Sequence, residues 1–176
     1  MRILLLLLLI TLDPTFAQNA STRAAANENL VLIWNLAGLN LADKTELERK
    51  LCLSFGDPKI TAVRKSKNIE PGTSDFYLLK TLSKEKCPFG SGTYNRYVSE
   101  AGLIRITLSL TLDRNVVCIT AHDVRLLADD TKKVNSSHPG SYSLDVRDVN
   151  LENLLSFAFK EPRESCAESI FIGTNN

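Results

Sequence analysis

The sequence predicts a mainly antiparallel β domain of the α+β class. The expected architecture is a barrel-like or helix-covered sheet with one helix ahead of the strands, another near the end, and two disulfides. Three observations carry this. Apolar and polar residues alternate from Ile104 to Leu112, the period of a strand with one buried face. Further short apolar segments are punctuated by Pro, Gly, Asn and Asp. Four cysteines follow an export signal, an even count in a chain bound for an oxidising compartment.

The export signal comes first in the chain. Met1-Arg2 precedes the apolar run Ile3 to Leu12, and Thr15 and Ala17 are small residues at the −3 and −1 positions before Gln18. The run is too short to span a bilayer, which takes about 20 residues, and no later segment is long and apolar enough to do so. The expected organisation is a signal peptide over 1–17, a flexible tail over 18–29 and one disulfide-bonded domain over 30–176. The mature product is expected to be secreted, extracellular and monomeric, with no membrane association.

Leu30 to Leu41 is densely apolar and fits either a buried strand through Trp34 or a short helix, because an unbroken apolar run has no diagnostic period. Thr45 to Phe55 reads as a helix. Asp43-x-x-Glu46 and Thr45-x-x-Glu48 are capping-box patterns, Leu47, Leu51 and Phe55 share a face, and Gly56 with Asp57-Pro58 stops it. Short strands are expected at Lys59 to Lys65, Asp75 to Leu82 and Tyr94 to Val98, with a loop from Ser83 to Gly92.

After Ile104 to Leu112, Asp113-Arg114-Asn115 has the residues of a three-residue hairpin loop, and Val116 to Val124 is expected to return as its partner strand. That register sets Arg105 opposite Asp123, Cys118 opposite Leu110 and His122 opposite Ile106. Ser141 to Val149 reads as another strand. Asn150 can cap a helix carrying Leu151, Leu154, Leu155 and Ala158 on one face, although Phe157 and Phe159 suit a strand equally. Ile170 to Ile172 reads as a last strand.

A formal net charge of +1, from 21 basic and 20 acidic residues, lacks the basic excess that nucleic-acid binding requires. Lys59, Arg64, Lys65 and Lys67 form a local basic cluster that reads as a solvated strand edge. The only histidines are His122 and His138. With Cys52, Cys87, Cys118 and Cys166 expected in disulfides of unassigned pairing, no metal-ligand spacing remains, and no metal or cofactor is expected. His122-Asp123 on a strand would point to opposite faces, and there is no G-x-S-x-G turn, so no catalytic constellation is expected. Asn19-Ala20-Ser21 and Asn135-Ser136-Ser137 are glycosylation sequons, the second within a polar stretch, Asp129 to Gly140, that reads as an exposed loop.

In layout the chain resembles a lipocalin-like carrier, with an early helix or turn containing Trp34, a run of strands, and a late helix followed by a short strand. The G-x-W motif ahead of the first strand is lacking, and layout alone assigns no family. The resemblance implies a non-catalytic carrier or scavenger of a small hydrophobic ligand. Its candidate lining is Ile104, Ile106, Leu108, His122, Tyr142 and Leu144. The alternative expectation is an effector or inhibitor that binds another extracellular protein through surface loops.

Overall fold

The structure is a computed structural model describing residues 28–67, 69–82, 87–127, 131–135, 140–146, 153–160 and 166–174. The expected signal peptide, Asn19 and His138 lie outside the described residues. Helix α1 covers 28–37 and α2 covers Lys44–Leu51. The strands are β1 Leu53–Phe55, β2 Lys59–Val63, β3 Gly72–Thr81, β4 Phe89–Ser99 and β5 Ile104–Leu112. After α3 (Ala121–Leu127) come β6 Thr131–Asn135, β7 Ser141–Val146, β8 Asn153–Lys160 and β9 Ser169–Thr174.

The strands form one antiparallel nine-stranded sheet in the order β1-β3-β4-β5-β9-β8-β7-β6, with β2 also paired to β3. β1 pairs with the end of β3 and β2 with its beginning, so both share one margin. Among the described residues the sheet does not close, and β6 forms the opposite margin. The barrel-like alternative is therefore not observed among the described residues: β5 is followed in space by β9, and the order then runs backwards through β8 and β7 to β6.

One face of the sheet is the core. In register across it run Leu79, Gly92, Leu110, Ile170, Phe157 and Leu144, and beside them Tyr77, Tyr94, Leu108, Ile172, Leu155 and Val146. All but Gly92 and Tyr77 are buried. Gly92 lies where a Cβ would stand 2.4 Å from the Ser109 carbonyl oxygen and 2.7 Å from Leu110 Cδ2, so only glycine fits that approach. The other face carries Thr93, Ser109, Ser156 and Asp145, consistent with an antiparallel sheet wetted on one side. The buried face of α1 (Ile33, Leu36, Ala37), the following Leu39 and Leu41, and Leu47 and Leu51 of α2 join the same core.

Several expected elements are borne out. The alternation of β5 holds, with Ile106, Leu108, Leu110 and Leu112 buried. α2 starts where expected, with the Asp43 carboxylate accepting from Glu46 N–H at 3.0 Å, one half of the capping box, but it ends at Leu51: Cys52 turns left-handed and Phe55, expected on the helix, lies on β1. β2, β3, β7 and β9 fall at the expected segments, and the undecided run at Leu30 is a helix, α1.

The return strand over Val116 to Val124 is overturned. The Asp113 turn forms, with Asn115 N–H donating to Asp113 Oδ1 at 3.0 Å, but the chain then leaves the sheet and enters α3. The reason is a reciprocal cap. Thr120 N–H donates to Asp123 Oδ2 at 2.8 Å, and Asp123 N–H donates to Thr120 Oγ1 at 3.2 Å. Arg105 faces Tyr97 instead of Asp123, and Leu110 lies between Gly92 and Ile170 instead of facing Cys118.

The late helix is overturned too. Residues 153–160 form β8, in which Asn153, Leu155, Phe157 and Phe159 are buried in alternation. The loop read from Ser83 to Gly92 is strand β4 from Phe89 onward, and the loop read over Asp129 to Gly140 contains β6, ending at Asn135 opposite Tyr142. α1 begins at 28, inside the expected tail. Of the two expected disulfides one is formed, Cys118–Cys166.

Candidate functional site

Of the six residues expected to line a ligand cavity, Ile106, Leu108, Tyr142 and Leu144 are buried among core side chains. Tyr142 stacks on Phe159 at 5.3 Å between ring centroids. The other two are placed differently. Ile104, the first residue of β5, is 43% exposed. His122 projects to solvent from α3, correcting the inward orientation expected from a strand. None of these six lines a surface groove described below.

The helices that cover the core are held by polar contacts from the sheet. The buried Asn153 amide donates to the Ala37 carbonyl at 2.9 Å and to the Leu39 carbonyl at 2.8 Å, satisfying acceptors left over at the end of α1. At the other end, Asn29 Nδ2 donates to the Cys118 carbonyl at 2.7 Å and to Asp123 Oδ2 at 3.1 Å. α1 is thus pinned to β8 at its end and to the α3 cap at its start. Tyr94, buried on β4, donates its hydroxyl to the Leu41 carbonyl at 3.0 Å, and burial pushes its phenol up to about 12.

Phe55, Tyr77 and Tyr94 meet edge-to-face, with centroids 5.1 to 5.7 Å apart. The Lys44 ammonium lies 3.7 Å from the Tyr77 ring centroid and donates to the Tyr77 hydroxyl. As the first residue of α2, Lys44 stands at the positive end of the helix dipole, and the aromatic faces offset that position.

These anchors set the surface presented by α1. Ile33, Leu36 and Ala37 turn inward, whereas Val31 and Trp34, one turn apart, are 54% and 52% exposed. α1 also borders a groove of about 230 Å³, which neither Val31 nor Trp34 lines. Leu32 and Leu36 of α1 and the following Leu39 form one wall, Leu51 and Phe89 line it as well, and Asn35 and Lys50 carry the polar groups in its lining. Lys50 is paired with Glu46 at 2.5 Å. A second groove, about 180 Å³, lies among Ile69, Glu70, Tyr97, Leu103 and Arg105. A third, shallow and broader, is bordered by Arg114 and Glu168; a hydrogen bond from Lys160 is the main cause holding the Glu168 carboxyl below its ordinary range.

Sequence reasoning missed the Trp34 surface because it counted Trp34 as part of one apolar run. The available signal was its spacing from Val31, which sets both off the Ile33, Leu36, Ala37 stripe once the segment is a helix. The Lys59, Arg64, Lys65 and Lys67 cluster is exposed along and after β2, at a sheet margin as expected. Among the described residues no group of three or more His, Cys, Asp or Glu side chains is placed to hold a metal ion, and no helix is long and apolar enough to cross a membrane. No known protein family matches the chain, and no curated protein or solved structure is significantly similar to it.

Proposed function

We propose that this is a secreted, non-catalytic binding protein that docks another extracellular protein on the outward face of α1. The observation that carries the reading is the exposed Trp34, with the exposed Val31 one turn away, on a helix that also borders an apolar groove. Tryptophan dominates binding energetics when a partner covers it, because it removes a large apolar surface from water and keeps one donor to satisfy. The groove accepts an apolar side chain from the partner, with Asn35 and Lys50 as its polar contacts. The leader pattern, the Cys118–Cys166 bond and the sequons at Asn19 and Asn135 support an extracellular, glycosylated product.

The carrier of a small hydrophobic ligand is the second reading, favoured by the same groove. Magnitude favours the protein partner. Ligand pockets usually hold about 300–1,000 Å³, and a groove of about 230 Å³ suits one side chain better than a whole ligand.

The test uses the chain's single tryptophan, whose emission reports this surface alone. Immobilised wild-type protein and the Trp34→Ala variant are exposed to extracellular fluid from the source, and the retained protein is identified, purified and titrated. The expected result is one partner whose binding shifts Trp34 emission to the blue and weakens at least about tenfold in the variant, as for a hot-spot residue. Equal affinity for the variant overturns the docking face. A small apolar molecule found in the purified wild-type protein by native mass spectrometry, without a protein partner, selects the carrier reading instead.

A further inference from the structure

α2 ends at Leu51, and Cys52 takes the left-handed conformation that closes the helix (φ 50°, ψ 38°), its N–H returning to the Glu48 carbonyl. The chain enters β1 at once. The Cys52 carbonyl accepts from Leu82 N–H at 2.9 Å, so the end of β3 is drawn against the same point. Cys87, two residues ahead of β4, lies on the other side of this junction. It is buried, with its Sγ 3.3 Å from the Leu51 carbonyl oxygen and 4.0 Å from that of Cys52. The carbonyls on both sides of the Cys52 α-carbon therefore surround the Cys87 sulfur. The other two cysteines are already joined to each other.

We infer that Cys52 and Cys87 form the protein's second disulfide, joining the end of α2 to the start of β4. Burial of the Cys87 thiol, together with the adjacent Cys52 thiol, raises it to about 11, so the half-exposed Cys52 is the sulfur that meets an oxidant first. The oxidant is a small-molecule disulfide of the glutathione class. The Cys52 thiolate attacks one of its sulfurs and expels a thiolate, leaving a mixed disulfide. The Cys87 thiolate then attacks Cys52 Sγ and expels the second thiolate. The two cysteine thiols are oxidised, the external disulfide is reduced to two thiols, and the protons from Cys52 and Cys87 end on those thiols. The bond fastens Leu51 and Phe89, two walls of the groove beside α1, to one covalent frame. It stands independently of what that groove binds.

The experiment is peptide mapping of the full chain, secreted from eukaryotic cells, alkylated before digestion and cleaved with trypsin without reductant. The expected result is peptide 51–59 linked to 87–96, and peptide 115–125 linked to 164–176. Recovery of 51–59 and 87–96 as separate alkylated peptides, or linked elsewhere, overturns the assignment. A Cys118→Ser, Cys166→Ser double variant is the second measurement. It is expected to retain the 51–59 to 87–96 link, and a free, alkylated pair there would overturn the assignment of an independent bond.

Discussion

Replacing Asn153 by alanine is expected to loosen α1 before the sheet unfolds. One buried side-chain amide makes two hydrogen bonds, to the Ala37 and Leu39 carbonyls, and these attach the end of α1 to β8. A typical intramolecular hydrogen bond contributes about 1 kcal/mol net, and leaving a buried acceptor without a partner costs about 1–3 kcal/mol. The site is 4% exposed, so water does not readily replace the lost donor. The expected loss is therefore roughly 2–4 kcal/mol, well above the ±0.5 kcal/mol or so of an ordinary surface substitution. Urea unfolding followed by far-ultraviolet circular dichroism and by Trp34 emission measures it. Trp34 lies on α1, between the Asn29 and Asn153 anchors, so its transition should move to lower urea than the sheet signal. Asn153→Asp, which presents an acceptor to two carbonyls, should be at least as damaging at neutral pH. A loss under about 0.5 kcal/mol, with coincident transitions, would refute the claim that this amide holds the helix.

Three other perturbations read different parts of the fold. Ile106→Lys sets an unpaired charge on the buried face of β5 and should lower stability by roughly 3 kcal/mol or more, measured by thermal or urea unfolding; a near-neutral effect would mean that this face is wetted. Removing the Cys118–Cys166 bond by double serine substitution frees a sequence separation of 48 residues, for which the chain-entropy account gives about 4 kcal/mol, measured as a shift in the urea midpoint. In an alkaline spectrophotometric titration, Tyr94 should ionise above the ordinary tyrosine range. Its folded-state phenol, pushed up to about 12, holds a proton that the unfolded chain releases near pH 10. Its contribution is thus fully present below about pH 10 and lost as pH rises toward 12, and Tyr94→Phe should flatten that alkaline limb.

Local chemistry made part of this fold legible. β5 could be read from alternation alone because one side of it faces a core and the other polar groups, and a strand's period of two translates that directly into sequence. The start of α2 could be read from Asp43 because a cap is a contact between residues three apart. The same spacing is present at Thr120-x-x-Asp123, within a segment whose apolar residues read as a strand. Had that cap been given priority, His122 would have been assigned to a helix and not to a cavity. The late helix failed for a different reason. Leu151, Leu154, Leu155 and Ala158 satisfy a helical spacing, and Asn153, Leu155, Phe157 and Phe159 satisfy a strand's. Only the neighbours β7 and β9 choose between them.

The candidate site was less legible than the fold. Trp34 is apolar by composition in either reading, and its exposure depends on which side of α1 the sheet occupies. Leu108, Tyr142 and Leu144 were rightly expected on inward faces, but a sequence does not say whether an inward face surrounds a space or meets its own helices.

Sequence alone therefore determined the class of the protein: mostly antiparallel strands with a helix before them, β5 with its buried even-numbered residues, and the capped start of α2. Those features depend on periodicity and on contacts a few residues apart. Tertiary structure decided that β5 lies beside β9, that the sheet stays open, that α1 is pinned by Asn29 and Asn153, and that Trp34 is turned outward. Each depends on partners distant in the chain, and non-local pairing leaves no periodic trace in the segments that make it.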